Sequence, residues 1–167
     1  FDQNQAILTY NAKLANNLGN LVNRVVVLAL KLSEKTWILK WNTLINFDYT
    51  QIENDYKNFN LKWILDENFK FLDELNKYTD EKQPWNLIKE DEEKTREVLY
   101  TLAEWLRQVG LNLYPFFPEK MGEMFNKLWL ENYVEELENW KLKELREKQE
   151  IFKITEKWEA LFKRFDV

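Results

Sequence analysis

Leu14, Leu18, Leu21, Val25, Leu28 and Leu32 recur every three or four residues. A chain that holds this spacing over so long a run is committed to an amphipathic helix with one face on a core. The spacing predicts such a helix from Ala6 to about Lys35. Gly19 falls inside it, where glycine costs about 1 kcal/mol relative to alanine, so close packing or ligand approach is expected there. With only 3 Gly and 3 Pro in 167 residues, the sequence lacks the turns a sandwich or barrel needs. Its 45% hydrophobic and 32% charged residues fit one globular domain. The longest aliphatic run, Val25 to Leu30, is far below the ~18 residues of a membrane span, so no membrane partner is expected.

Further helices follow with short breaks. Asp48 is placed to cap a second helix through Ile52 and Tyr56 that ends near Asn60. Leu61, Ile64, Leu65, Phe71, Leu72, Leu75 and Tyr78 predict a third, stopping between Thr79 and Gln83, ahead of Pro84. Acidic residues from Glu90 to Glu93 lead into a fourth carrying Val98, Leu99, Leu102, Trp105, Leu106 and Val109, and their charge suits the positive end of a helix dipole. Pro118 suits the first turn of a fifth, through Met121, Phe125 and Leu128. A charged helix is expected from about Glu131 to Gln149, followed by a partly extended stretch from Ile151 to Val167. The expectation is an all-α bundle over residues 1–130, with residues 131–167 a helix and tail packing back on it.

The absence of Cys and His removes Cys/His zinc sites, disulfides, thiol nucleophiles and Ser-His-Asp triads, while carboxylate-only metal sites and Lys- or Glu-based acid/base chemistry survive this filter. No catalytic residues and no metal site are expected in this chain. The net charge of −5 is unevenly spread: residues 1–47 hold five basic and two acidic residues, the rest nineteen and twenty-seven. A general nucleic-acid coat would be basic throughout, whereas a protein binding one RNA feature with one face can show this asymmetry. So can an ordinary acidic helical protein. The sequence opens on Phe1 rather than Met and is read as a piece of a longer chain.

Two features carry specific chemistry. Asn16, Asn20 and Arg24 are spaced by four and form a ridge about 120° around the first helix from its apolar stripe. Amides that donate and accept, beside a planar guanidinium, can read a base edge; an ordinary solvated helix face has the same spacing. Trp85 follows Pro84 in a break between helices, where a stiff backbone presents an indole on which an unpaired base can stack. Alternatively it plugs the end of the bundle. The other seven tryptophans are expected in core or partly buried packing.

At these residues the sequence resembles a known family. The run Tyr10 to Arg24 (YNAKLANNLGNLVNR) is similar to the opening helix of the anticodon-binding domain of methionyl-tRNA synthetases. Asn76 to Trp85 (NKYTDEKQPW) resembles the family's segment before its fourth helix, ending in the same Pro-Trp pair. Lys89-Glu90-Asp91, Val98-Leu99-Tyr100, Pro115-Phe116-Phe117-Pro118 and the Leu161 to Phe165 element continue the order. The match is loose over residues 36–47 and 131–155. The resemblance implies a helical anticodon-binding bundle, the RNA-binding residues Asn16, Asn20, Arg24, Pro84 and Trp85, and a tRNA with a CAU anticodon as partner. The positions of Asn20 and Arg24 would read base edges, with Asn16 nearby, and Trp85 would stack on the first anticodon base. It further implies a cytoplasmic parent ligase that uses ATP and Mg, whose catalytic domain is a second partner. The family's His-Ile-Gly-His motif is absent here, and nothing resembles its Lys-Met-Ser-Lys-Ser loop, so the fragment alone is expected to be inactive. A helical protein-interaction module that has lost RNA binding is the alternative. Lys163, in the tail element, is expected to be remote from the site.

Overall fold

The computed structural model describes residues 2–32, 37–39, 49–130, 132–139, 141–147, 152–154 and 159–166. The first apolar stripe forms one continuous helical run in three parts: α1 (Gln3–Tyr10), a π-helical segment (Asn11–Gly19) and α2 (Asn20–Lys31). Leu14, Leu18, Leu21, Val25 and Leu28 are all buried. The π winding departs from the uniform α-helix expected, and its cause is tertiary. Asn17 is drawn inward, where its amide donates to Asp73 at 2.6 Å and accepts from Asn76 at 2.5 Å. At Gly19 a Cβ would lie 3.2 Å from the Leu14 carbonyl oxygen and 3.4 Å from the Phe162 ring. The glycine therefore serves close packing, and the element it admits is the C-terminal tail.

The following helices are α3 (Thr50–Lys57), α4 (Leu61–Lys82), α5 (Pro84–Leu87), α6 (Glu92–Leu113) and α7 (Pro118–Lys127). Asp91 caps α6 by accepting from the Lys94 amide at 2.9 Å, with Glu92 and Glu93 in the first turn. Pro118 opens α7, where its missing N–H costs nothing. The expected cap at Asp48 lies outside the described residues, as does nearly all of the segment 36–47.

Between residues 131 and 149 the structure corrects the sequence reading. The single helix expected there is two short ones, α8 (Tyr133–Glu138) and α9 (Leu142–Glu147). The Asn139 side chain donates to the Glu135 carbonyl at 2.9 Å, and the Lys141 amide reaches back to Glu136. These bonds close α8 in a wide turn and redirect the chain, so that Tyr133 and Leu145 both reach the core. Residues Phe152–Ile154 (β2) then pair antiparallel with Trp37–Leu39 (β1), Trp37 opposite Ile154. The molecule is an all-α bundle with a short extended piece. Trp129 also departs from expectation: it is 36% exposed at φ 59°, with the Lys153 ammonium 5.0 Å over its ring.

At the centre, α6 packs against α2, α4, α7 and α9. Most of its length is buried, including Glu104, Arg107, Gln108 and Asn112. Arg107 is 0% exposed. Its Nε donates to Glu104 at 2.8 Å, and its Nη1 donates to the Tyr133 hydroxyl at 3.2 Å and the Leu145 carbonyl at 2.5 Å. Burial alone disfavours the charged form, but the bonds and charge of Glu104 outweigh it and hold the guanidinium protonated. Truncating one member of such a pair leaves the other charge buried and unmatched. Arg107→Met is therefore expected to destabilise the chain by about 3–5 kcal/mol. Adding Glu104→Gln should recover most of that loss, because the uncompensated carboxylate is its main source. Urea unfolding of the two single variants and the double variant measures both terms.

Candidate nucleic-acid interface

Asn16, Asn20 and Arg24 are all solvent-exposed, on the flank of the helical run away from the core. The π turn distributes them unevenly. Its i→i+5 bonds turn the chain less per residue than α winding, so the ridge expected from a uniform period is not straight. Asn16 lies over a shallow groove of about 350 Å³ shared with Lys13, Asn17, Asp73 and Asn76. Asn20 faces the other way, into a hollow of about 550 Å³ whose far wall is the tail, with Lys163 and Arg164. Lys163 is thus beside the ridge, contrary to the expectation that it is remote. Arg24 reaches α4, where its Nη1 meets Asp80 at 3.3 Å.

That pair connects the ridge to the corner carrying Trp85. Asp80 is in the last turn of α4, five residues before the tryptophan. Proline disfavours right-handed helix at the preceding residue, and Gln83 turns left-handed, with φ 45° and ψ 56°. A non-glycine residue in that region carries about 1–2 kcal/mol of strain. The corner is braced: the Gln83 amide bonds back to Thr79, and the Asn86 side chain donates to Gln83 Oε1 at 2.8 Å. Pro84 is buried as the first residue of α5, and Trp85 beside it is 38% exposed. The backbone that carries Trp85 is braced and its side chain is partly open to solvent, as a stacking platform requires.

The charges along the ridge are largely matched. Lys13 sits 3.6 Å from Asp73 and Arg24 3.3 Å from Asp80, both exposed pairs worth little to stability. The surface thus offers directed donors and acceptors more than net positive charge. Sequence reasoning missed Asn17 and Asp80, whose partners are 56 residues away, and the strained residue Gln83. Among the described residues no group of three or more acidic side chains could hold a metal ion, and no helix is long and apolar enough to cross a membrane.

No protein-family model matches the chain. It is 32% identical over 148 residues to a methionine–tRNA ligase of Streptococcus pneumoniae, which covers 83% of this chain and 27% of the ligase. Identity is 37% over 133 residues to methionine–tRNA ligase 1 of Bacillus cereus, covering 72% and 20%. A Caldanaerobacter subterraneus methionine–tRNA ligase is 31% identical across 98% of the chain and 27% of its own length. Among solved structures, the fold matches Mycobacterium tuberculosis methionyl-tRNA synthetase in complex with methionyl-adenylate. The TM-score is 0.79 at 21% identity, over 98% of this chain and 34% of that one. The chain spans about a quarter of the length of the curated relatives it matches. Kinship across most of its sequence and a shared all-α fold together make it a homologue of one segment of the methionine–tRNA ligases.

Proposed function

We propose that this chain binds the CAU anticodon of a tRNA as the anticodon-binding part of a longer methionine–tRNA ligase of the cytoplasm. The observation that carries the reading is the Gln83-Pro84-Trp85 corner, joined to the amide and guanidinium ridge through Arg24 and Asp80. In this reading Trp85 supplies sequence-tolerant stacking, and Asn20 and Arg24 supply edge recognition with Asn16 nearby. Pro84 fixes the indole. Activation of methionine with ATP and Mg is assigned to the parent ligase's catalytic domain. The residues described here do not fit a metal site, and the chain alone is expected to be inactive. A protein-interaction module is the second reading, favoured by the exposed Phe59 (84%) and Leu61 at the corner between α3 and α4.

A binding matrix separates the two readings. Stem-loops carrying CAU, and loops varied at the first anticodon base, are titrated against the unsubstituted chain and three variants. Trp85→Ala is expected to weaken all loops by about 1–3 kcal/mol while leaving their order unchanged. Asn20→Ala and Arg24→Ala are expected to lose about 1–3 kcal/mol of discrimination where an edge contact is removed. A thermal melt of each variant distinguishes lost stacking from lost packing. Equal binding of every loop by the unsubstituted chain would sink the anticodon reading and favour the interaction module.

A further inference from the structure

The hollow between the helical run and the tail has a chemistry of its own. Asn20 and Asn23 line one wall, Lys163 and Arg164 the other, with Glu159 at the tail's entry. The tail is held in place rather than merely near. The Asn11 side chain donates to the Phe165 carbonyl at 2.8 Å and accepts from the Phe165 amide at 3.1 Å, and the Phe165 ring lies 5.0 Å from Tyr10. Phe162 is buried against Gly19. With Phe162 and Phe165 anchored, the two cations between them are exposed.

Their charge state differs from that of the ridge cations. Lys13 and Arg24 are matched by Asp73 and Asp80. Among the described residues no carboxylate lies within ion-pairing distance of Lys163 or Arg164. Glu159 is the acidic side chain lining the same hollow, one carboxylate against two cations, and the Lys127 ammonium donates to its backbone carbonyl at 2.8 Å. The hollow thus offers unmatched positive charge and amide donors within reach of a residue proposed to read a base.

We propose that Lys163, Arg164 and Asn23 form a phosphate-binding ledge that holds the RNA backbone next to the nucleotide read by Asn20. The inference rests on the RNA-binding reading above. Guanidinium and ammonium groups neutralise phosphate, and the amide adds a directed donor. Such contacts position the strand and carry no sequence information, so the ledge gives affinity while the ridge gives choice.

The test uses the 167-residue chain, a CAU stem-loop and the same stem with a scrambled loop, titrated by fluorescence anisotropy between about 50 and 200 mM salt. The double variant Lys163→Ala with Arg164→Ala is expected to lose affinity on the order of tenfold for both RNAs. Its slope of log K on log salt should be shallower by about 1.4, or about 0.7 for each phosphate that is no longer neutralised. The ratio between the two loops should not change. Glu159→Gln should act oppositely, tightening both RNAs by about two- to threefold through removal of a repelling charge. It carries the test if the double variant does not melt with the unsubstituted chain. Unchanged affinity and slope in the double variant, with Asn20→Ala still losing discrimination, overturn the ledge and leave the anticodon reading standing. Equal binding of both loops by the unsubstituted chain, with the slope still reduced in the double variant, overturns the anticodon reading and keeps the ledge. Failure of the unsubstituted chain to bind either RNA overturns both.

Discussion

The arrangement of this molecule depends on the guanidinium of Arg107. From the middle of α6 it bonds Glu104 on its own helix, the Tyr133 hydroxyl at the start of α8 and the Leu145 carbonyl in α9. A charge so deeply buried is tolerated because a carboxylate, a hydroxyl and a carbonyl accept from it. The demand also runs the other way. The acceptors are in place only if α8 and α9 bend where they do, so the buried cation selects one path for the C-terminal third. That path leads through β2 to the tail, and the tail brings Phe162 against Gly19 and Lys163 beside Asn20. A polar contact at the centre thereby governs the composition of a surface distant along the chain.

The candidate interface is built from two kinds of support. The Trp85 corner is stiff: a buried proline, a left-handed residue and a side-chain bond across the turn brace the backbone that carries the indole. The ridge is held by neighbours instead, Lys13 through Asp73 and Arg24 through Asp80. Exposed pairs of this kind exchange readily with water, so Arg24 is oriented without being locked. A fixed platform beside adjustable hydrogen-bonding groups suits a ligand whose bases must be unstacked and caught individually.

Much of the fold was legible because helices announce themselves locally. The three-and-four spacing of Leu14 to Leu28, the acidic run Glu90 to Glu93 ahead of α6, the stop before Pro84 and the start at Pro118 are properties of neighbours in sequence. What escaped depended on partners far along the chain. The π segment has no signature among Asn11 to Gly19; its reason is Asn17 bonding across to Asp73 and Asn76. The break between α8 and α9, closed by the Asn139 and Lys141 bonds back to Glu135 and Glu136, places Tyr133 and Leu145 as acceptors for Arg107, 26 and 38 residues back along the chain. Trp129 is expected in core or partly buried packing, yet at a left-handed backbone it is 36% exposed beside Lys153. The site divided in the same way: ridge and Pro-Trp pair were visible as spacing and dipeptide, while the tail's return beside Asn20 was not.

On the proposed anticodon reading, that return changes how an acidic protein can hold RNA. Counting charges along the sequence places the positive excess in residues 1–47, and a salt dependence set by that segment alone would follow. The structure shows two of those five cations, Lys13 and Arg24, already matched by carboxylates on α4. A matched cation contributes little to phosphate neutralisation, because an anion must compete with the carboxylate for it. The effective charge of the face is then set by cations without such partners, and in the hollow beside Asn20 these come from the opposite end of the chain. Net charge, even split by segment, is a poor guide where ion pairs join segments. What an approaching phosphate meets is the charge left after pairing, and folding decides where that remainder lies.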